Sequence, residues 1–229
     1  MYAHQGVTHL VTELDLDSGV ALVIEREMDY VTDAREVSDI RIVDETRTVP
    51  WGDGTLSLGT VDVSAQVVAF TKRRVITGEF LGIEPLDLPA RELRTTAVWW
   101  TVTAAQLAAA DVEFADVPGA AHAAEHASIG LLPLFATCDR WDIGGVSTAL
   151  HPDTGQATVF VYDGYPGGAG FAERGFEVAR EWLTATRDLI AACPCERGCP
   201  SCVQSPKCGN GNDPLDKAGA VRLLAQLLG

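Results

Sequence analysis

This 229-residue chain is short of positive charge, with 17 Lys and Arg against 32 Asp and Glu and a formal net charge of −15. A surface that acidic repels phosphate backbones at long range, so composition argues against autonomous tight binding of nucleic acid. The one dense basic spot, Lys72-Arg73-Arg74, reads as a solvated strand end before it reads as a nucleic-acid contact. Also missing are a G-x-x-x-x-G-K-[ST] loop and an Asp-Glu-x-His box. Nothing here is therefore expected to cradle ATP and Mg²⁺, and no enzymatic activity is expected of the chain alone. The N-terminus lacks a basic start followed by a long apolar stretch, and no apolar run approaches the length of a bilayer span. The expectation is a soluble, cytoplasmic chain with no membrane partner, in which clustered cysteines favour metal over disulfides. With 47% hydrophobic residues, it can bury the core of one large domain or two small ones.

What is abundant is cysteine, in one place. The run Cys193-Pro-Cys195-Glu-Arg-Gly-Cys199-Pro-Ser-Cys202, followed by Cys208, holds five of the six cysteines. The spacing C-x-C-x3-C-x2-C lets four thiolates converge on one tetrahedral ion, and Gly198 and the two prolines supply the turns that bring the sulfurs round. Zinc, as one structural ion, is the expected occupant. Four thiolates also suit an iron–sulfur cluster, but so compact a spacing fits a single ion better. Cys193, Cys195, Cys199 and Cys202 form the tightest set. Cys208 is the alternate ligand, able to displace Cys193 if the chain folds back, and Lys207 would then screen the negative charge of the site. Cys138, far away in an apolar stretch, reads as a buried, inert thiol.

Two further constellations carry possible chemistry. His122-Ala-Ala-Glu125-His126 matches the H-x-x-E-H order in which two histidines one helical turn apart hold zinc and the glutamate activates water. A metallohydrolase built on His122, Glu125 and His126 is thus an alternative function. Its alanine-rich setting and the lack of an identifiable third ligand favour a structural helix, with polar side chains bonded to nearby backbone or to the 138–142 segment. In Asp163-Gly-Tyr165-Pro-Gly167-Gly168-Ala-Gly170 a strand-to-helix turn offers free amides to an anion. It lacks both the P-loop Lys-Ser/Thr and the full dinucleotide fingerprint, so close helix-on-strand packing explains the glycines more economically.

The character of the chain changes near residue 104. Before it, Thr8 to Leu16, Val20 to Glu25, Val61 to Thr71 and Arg94 to Val102 are rich in β-branched and aromatic residues, with a hairpin turn predicted at Asp17-Ser18-Gly19. After it, apolar residues recur at helical spacing over Ala104 to Ala110, Gly119 to Phe135 and Phe171 to Ile190. Asp213 and Pro214 are expected to cap a closing helix over Leu215 to Leu228. The chain thus reads as α+β: a β-rich antiparallel N-terminal half packed on a helical C-terminal half, with the four-cysteine site between two helices. Residues 1–103 form the β-rich portion. Residues 104–229 form the helical portion, with a strand at 157–163 and the zinc-binding segment at 193–208.

Several of these stretches, in this order, carry a family resemblance. They are Leu93-Arg-Thr-Thr-Ala-Val-Trp-Trp100, His122 to Gly145 with its Gly-Leu-Leu-Pro-Leu-Phe and Cys-Asp-Arg-Trp-Asp-Ile-Gly-Gly, Tyr162 to Gly170, and Cys193 to Lys217. Together they resemble the C-terminal zinc-binding domain of the mitomycin-repair-factor (Mrf-type) superfamily 2 DNA helicases, over nearly the whole chain. The stretch from Tyr2 to Tyr30 resembles the segment joining that domain to the second helicase lobe, which implies a piece of a longer protein. The resemblance implies a parent that is an ATP-dependent DNA helicase of repair with 3′ to 5′ polarity. It implies an accessory domain that meets the helicase core and, within the parent, single-stranded or forked DNA. The family's four-cysteine site is similar to Cys193, Cys195, Cys199 and Cys202. A stand-alone nucleic-acid-binding module is the other alternative. Trp99 and Trp100 could stack on bases, though core packing suits so apolar a strand better.

Overall fold

A computed structural model describes residues 1–229. The strands are β1 (Tyr2–His4), β2 (Val7–Asp15), β3 (Val20–Glu25), β4 (Tyr30–Trp51), β5 (Gly54–Arg74), β6 (Phe80–Pro85), β7 (Arg91–Val102), β8 (Ile143–Thr148) and β9 (Ala157–Asp163). The helices are α1 (Ala104–Ala109), α2 (Val117–Leu131), α3 (Phe171–Glu177), α4 (Ala179–Ala192) and α5 (Lys217–Leu228). The fold is α+β, with every helix C-terminal to residue 103. The chain divides into two compact units, one of Met1–Val37 with Gln66–Pro89 and one of Ser38–Ala65 with Ala90–Gly229.

In the smaller unit β1, β2 and β3 form an antiparallel sheet. The hairpin lies at its predicted place, closing on the pair Asp15↔Val20. Its loop is set by the Asp15 carboxylate, which accepts hydrogen bonds from the backbone N–H of Asp17 and Ser18 at 3.0 and 3.1 Å. β6 pairs antiparallel with the end of β5. There Lys72 is ion-paired with Glu84, and Arg74 with Asp29 and Glu79, so acidic neighbours answer most of the basic run.

The larger unit carries the core. Its sheet has the order β4-β5-β7-β9-β8, with β5·β7, β7·β9 and β8·β9 all antiparallel. Side chains alternate across it as the pleat requires. Leu56, Leu58, Val98, Trp100, Val159 and Val161 join the core under the helices, while Val61, Val63, Ala97, Trp99 and Phe160 form a separate cluster with Ile40. Trp99 and Trp100 are 1% and 0% exposed, which spends both on packing. Trp100 meets Trp182 edge-on at 5.8 Å, and the Trp182 indole N–H donates to the Ser128 carbonyl at 2.9 Å, tying α4 to α2. Short side chains explain the central place of α2. Its alanines and glycines let neighbours approach on several sides, and most of its residues are buried. α1 starts on a capping box, in which Thr103 Oγ1 accepts from the Gln106 amide and Gln106 Oε1 from the Thr103 amide.

Some local expectations differ from the structure. The apolar stripe from Phe171 to Ile190 is split between α3 and α4 by Val178, whose φ and ψ of −107° and 17° leave the helix. The closing helix is capped by Asp216, whose carboxylate accepts from the Gly219 amide at 2.8 Å, and not by Asp213 with Pro214, which lie before it. β4 and β8 were not legible as strands. β4 is dense in charge, and β8 contains Gly144 and Gly145, residues that disfavour strands. Both glycines are there for space: a Cβ on Gly144 would lie 2.4 Å from the Tyr162 ring, and one on Gly145 would lie 2.8 Å from the Glu125 side chain.

Candidate metal centre

The helix α4 ends where the cysteines begin. Cys193, at its C-cap, turns the chain into an extended conformation with φ −69° and ψ 126°. Gly198 then makes the reversal at φ +110°, where a Cβ would also lie 2.5 Å from Val203 Cγ2, so glycine is required twice over. After it the Cys199 carbonyl accepts from the amides of Cys202 and Gln204 at 3.0 and 3.1 Å. Val203 and Cys202 are buried and anchor the loop in the main core.

This path brings the sulfurs of Cys193, Cys195, Cys199 and Cys202 together, all within 4.8 Å of one another. The separations are 3.6 Å for Cys193–Cys195 and Cys193–Cys199, 3.5 Å for Cys195–Cys202 and 3.8 Å for Cys199–Cys202. A tetrahedral ion with metal–sulfur bonds of about 2.3 Å sets sulfur–sulfur edges of about 3.8 Å, so the four-sulfur cluster can hold one such ion. As free thiols they share charge unequally. Burial opposes ionisation of Cys195, but hydrogen bonds from Cys202, Cys193 and Cys199 outweigh it and hold that thiol at about 7. Burial pushes Cys202 up to about 12. A cation would relieve the competition by stabilising all four as thiolates.

One residue of this site was not singled out beforehand. Lys217, at the start of α5, donates from Nζ to the carbonyls of both Cys193 and Cys195 at 2.6 Å each. It places a positive charge beside the cluster and pins the start of the loop. Lys207, expected to screen the charge of the site were Cys208 a ligand of it, donates instead to the carbonyls of Arg140 and Ile143 at 3.0 and 2.6 Å. Only the fold brings residue 217 back beside residue 193.

The alternate ligand Cys208 lies elsewhere, grouped with His122 and His126. Its sulfur is 3.5 Å from His122 Nε2. The H-x-x-E-H motif therefore has a third donor after all, supplied from 86 residues away. The histidines bond to the carbonyls of Pro214 and Val203 rather than to the 138–142 segment. Glu125 is buried against Gly145 and bonded to Ser147, and burial raises its carboxyl above the ordinary range. Cys138 is half-buried, and burial raises its thiol as well.

The glycine-rich turn satisfies itself. The fully buried Asp163 carboxylate accepts from the amides of Ala169, Gly170, Phe171 and Ala172 at 2.5, 2.9, 3.3 and 2.8 Å, occupying the place an anion would take. No helix is long and apolar enough to cross a membrane.

The family model described as MrfA Zn-binding domain matches residues 124–203. The ATP-dependent helicase YprA of Bacillus subtilis is 33% identical over 204 residues, covering 89% of this chain and 27% of that protein. The protein MJ1572.1 of Methanocaldococcus jannaschii is 41% identical over 112 residues, covering 47% of this chain and 98% of its own. Among solved structures, the DUF1998 helicase MrfA bound to DNA superposes with a TM-score of 0.67 at 32% identity, over 98% of this chain and 29% of that one. The chain thus spans about a quarter of the length of the helicases it matches.

Proposed function

Because this chain belongs to the MrfA Zn-binding-domain family, we propose that it is the structural zinc-binding accessory domain of an ATP-dependent DNA repair helicase that translocates 3′ to 5′. The observation that carries the reading is the tetrahedral spacing of four sulfurs between α4 and α5. Cys193, Cys195, Cys199 and Cys202 would hold one zinc ion, and Lys217 would brace the loop from outside. The ion's work is mechanical. It fixes a turn-rich loop that has little apolar surface of its own and locks it onto the helical core. Within the parent, residues 1–103 would join the helicase core and residues 104–229 would carry the metal and, braced by it, help shape the path of a single strand from forked DNA. An acidic domain with few free cations suits a surface facing protein or solvent, with only local contacts to DNA. ATP binding would lie in the rest of the parent, and the setting would be cytoplasmic.

The names of the matched proteins support this reading, since YprA is called an ATP-dependent helicase and the MrfA structure is bound to DNA. A metallohydrolase gains less support, because Glu125 faces Ser147 in the core rather than an open water site. The test is Cys199→Ser in the full-length parent. The expected result is loss of one zinc equivalent, a lower unfolding temperature and impaired ATP-dependent unwinding. Full unwinding by a variant that has lost its zinc would overturn the reading.

A further inference from the structure

We propose that His122, His126 and Cys208 form a second metal site, independent of the four-cysteine cluster, for a divalent ion of the zinc class. Their donor atoms lie within 4.8 Å of one another, although they come from α2 and from the loop before α5. Bonds of about 2.0–2.1 Å to nitrogen and 2.3 Å to sulfur at a tetrahedral ion place the two donors about 3.6 Å apart. Cys208 Sγ and His122 Nε2 stand at 3.5 Å.

The tautomers point the same way. His122 Nδ1 donates to the Pro214 carbonyl and His126 Nδ1 to the Val203 carbonyl, each at 2.8 Å. A carbonyl only accepts, so each Nδ1 carries a proton and, in the neutral ring that binds metal, each Nε2 is left with its lone pair. An imidazole bonded to a carbonyl through one nitrogen is oriented to bind metal through the other. With both rings fixed this way, 4.2 Å apart at their centroids, two lone pairs and a sulfur face a common point. Such a trio requires a cation, either a shared proton or a metal.

Cys208 is also held in place before any ion arrives. Its sulfur accepts from the Asn212 amide at 3.2 Å. Asn212 closes the loop, accepting from the Ser205 amide at 2.7 Å and donating to the Ser205 carbonyl at 3.0 Å. Two imidazoles and one thiolate suit zinc and its neighbours in the first transition row and do not suit Mg²⁺ or Ca²⁺. Three protein donors leave one tetrahedral position for solvent. An ion here would tie α2 to the loop leaving the cysteine cluster, so the segment from Cys193 to Cys208 would be clamped at both ends.

The experiment counts metal by plasma mass spectrometry on the dialysed chain and on Cys208→Ser, His122→Gln and Cys199→Ser, with thermal unfolding to verify that each is folded. The expected result is two equivalents in the unsubstituted chain, one per cluster, and one in each variant. Cobalt(II) loaded into Cys199→Ser should show a single-thiolate charge-transfer band that adding Cys208→Ser abolishes. One equivalent that Cys199→Ser removes while Cys208→Ser and His122→Gln leave it untouched would overturn the proposal and spare the four-cysteine reading. One equivalent lost only in Cys208→Ser and His122→Gln would uphold this site and overturn the other.

Discussion

Replacing Lys217 with methionine removes one ammonium from the four-cysteine loop while keeping the length and apolar stem of the side chain. That ammonium bridges the carbonyls of Cys193 and Cys195 at 2.6 Å each, and those carbonyls belong to the first two of the four clustered cysteines. A hydrogen bond to a charged group contributes about 1.5–3 kcal/mol. Water can reach the half-exposed loop and recover part of this for both carbonyls. The four thiolates also exceed the charge of a divalent ion, so losing a neighbouring cation acts in the same direction. The net expectation is a 10- to 100-fold weaker zinc affinity, or about 1.4–2.7 kcal/mol. The assay is equilibrium transfer of zinc to a chromophoric chelator at fixed ionic strength, on protein shown to be folded when zinc is in excess. An affinity within about twofold of the parent chain would refute the argument, because it would mean that water serves the two carbonyls as well as lysine does.

Two further outcomes follow from buried and paired carboxylates. Asp163→Asn leaves one acceptor oxygen where two receive four backbone amides and turns an NH₂ group toward donors. The expected cost is about 3 kcal/mol, a fall of roughly 6–12 °C in Tm for a chain of this size; a loss under about 1 kcal/mol would show that the turn does not depend on this charge. Asp62 is gripped by Arg94 through two hydrogen bonds of 2.7 and 2.9 Å and by Arg41 at 2.6 Å, and the hydrogen bonds from Arg94 above all hold its carboxyl below the ordinary 3.8. A depressed folded-state value contributes stability above 3.8 that is lost as pH falls through the lowered value. Asp62→Asn should therefore flatten the acid limb of a stability-against-pH curve, and parallel limbs in the two proteins would contradict this.

Features governed by local chemistry were legible in the sequence. Four cysteines spaced C-x-C-x3-C-x2-C round a glycine have little freedom except to converge, because the intervening chain is too short to separate them. The β2–β3 hairpin, the strand at β7 and the helical spacing of α1, α2 and α4 follow from side-chain periodicity, which is set by backbone geometry alone. The change from strand to helix near residue 104 was visible for the same reason. Other features depended on what lies across space. The charged β4 and the glycine-bearing β8 are strands because neighbouring strands supply their hydrogen bonds, and propensity says nothing of a partner. Val178 breaks the long helix, and Asp216 rather than Asp213 caps α5, because packing sets where those helices begin. Lys217 reaches the cysteine loop, and Cys208 leaves the other cysteines for two histidines on α2, only once α5 has folded back against α2. The sequence by itself determined which donors exist and which of them are tethered close together. Tertiary structure decided which distant donors meet, because contact between residues 86 positions apart is set by the packing of whole elements and not by the short chain between neighbours.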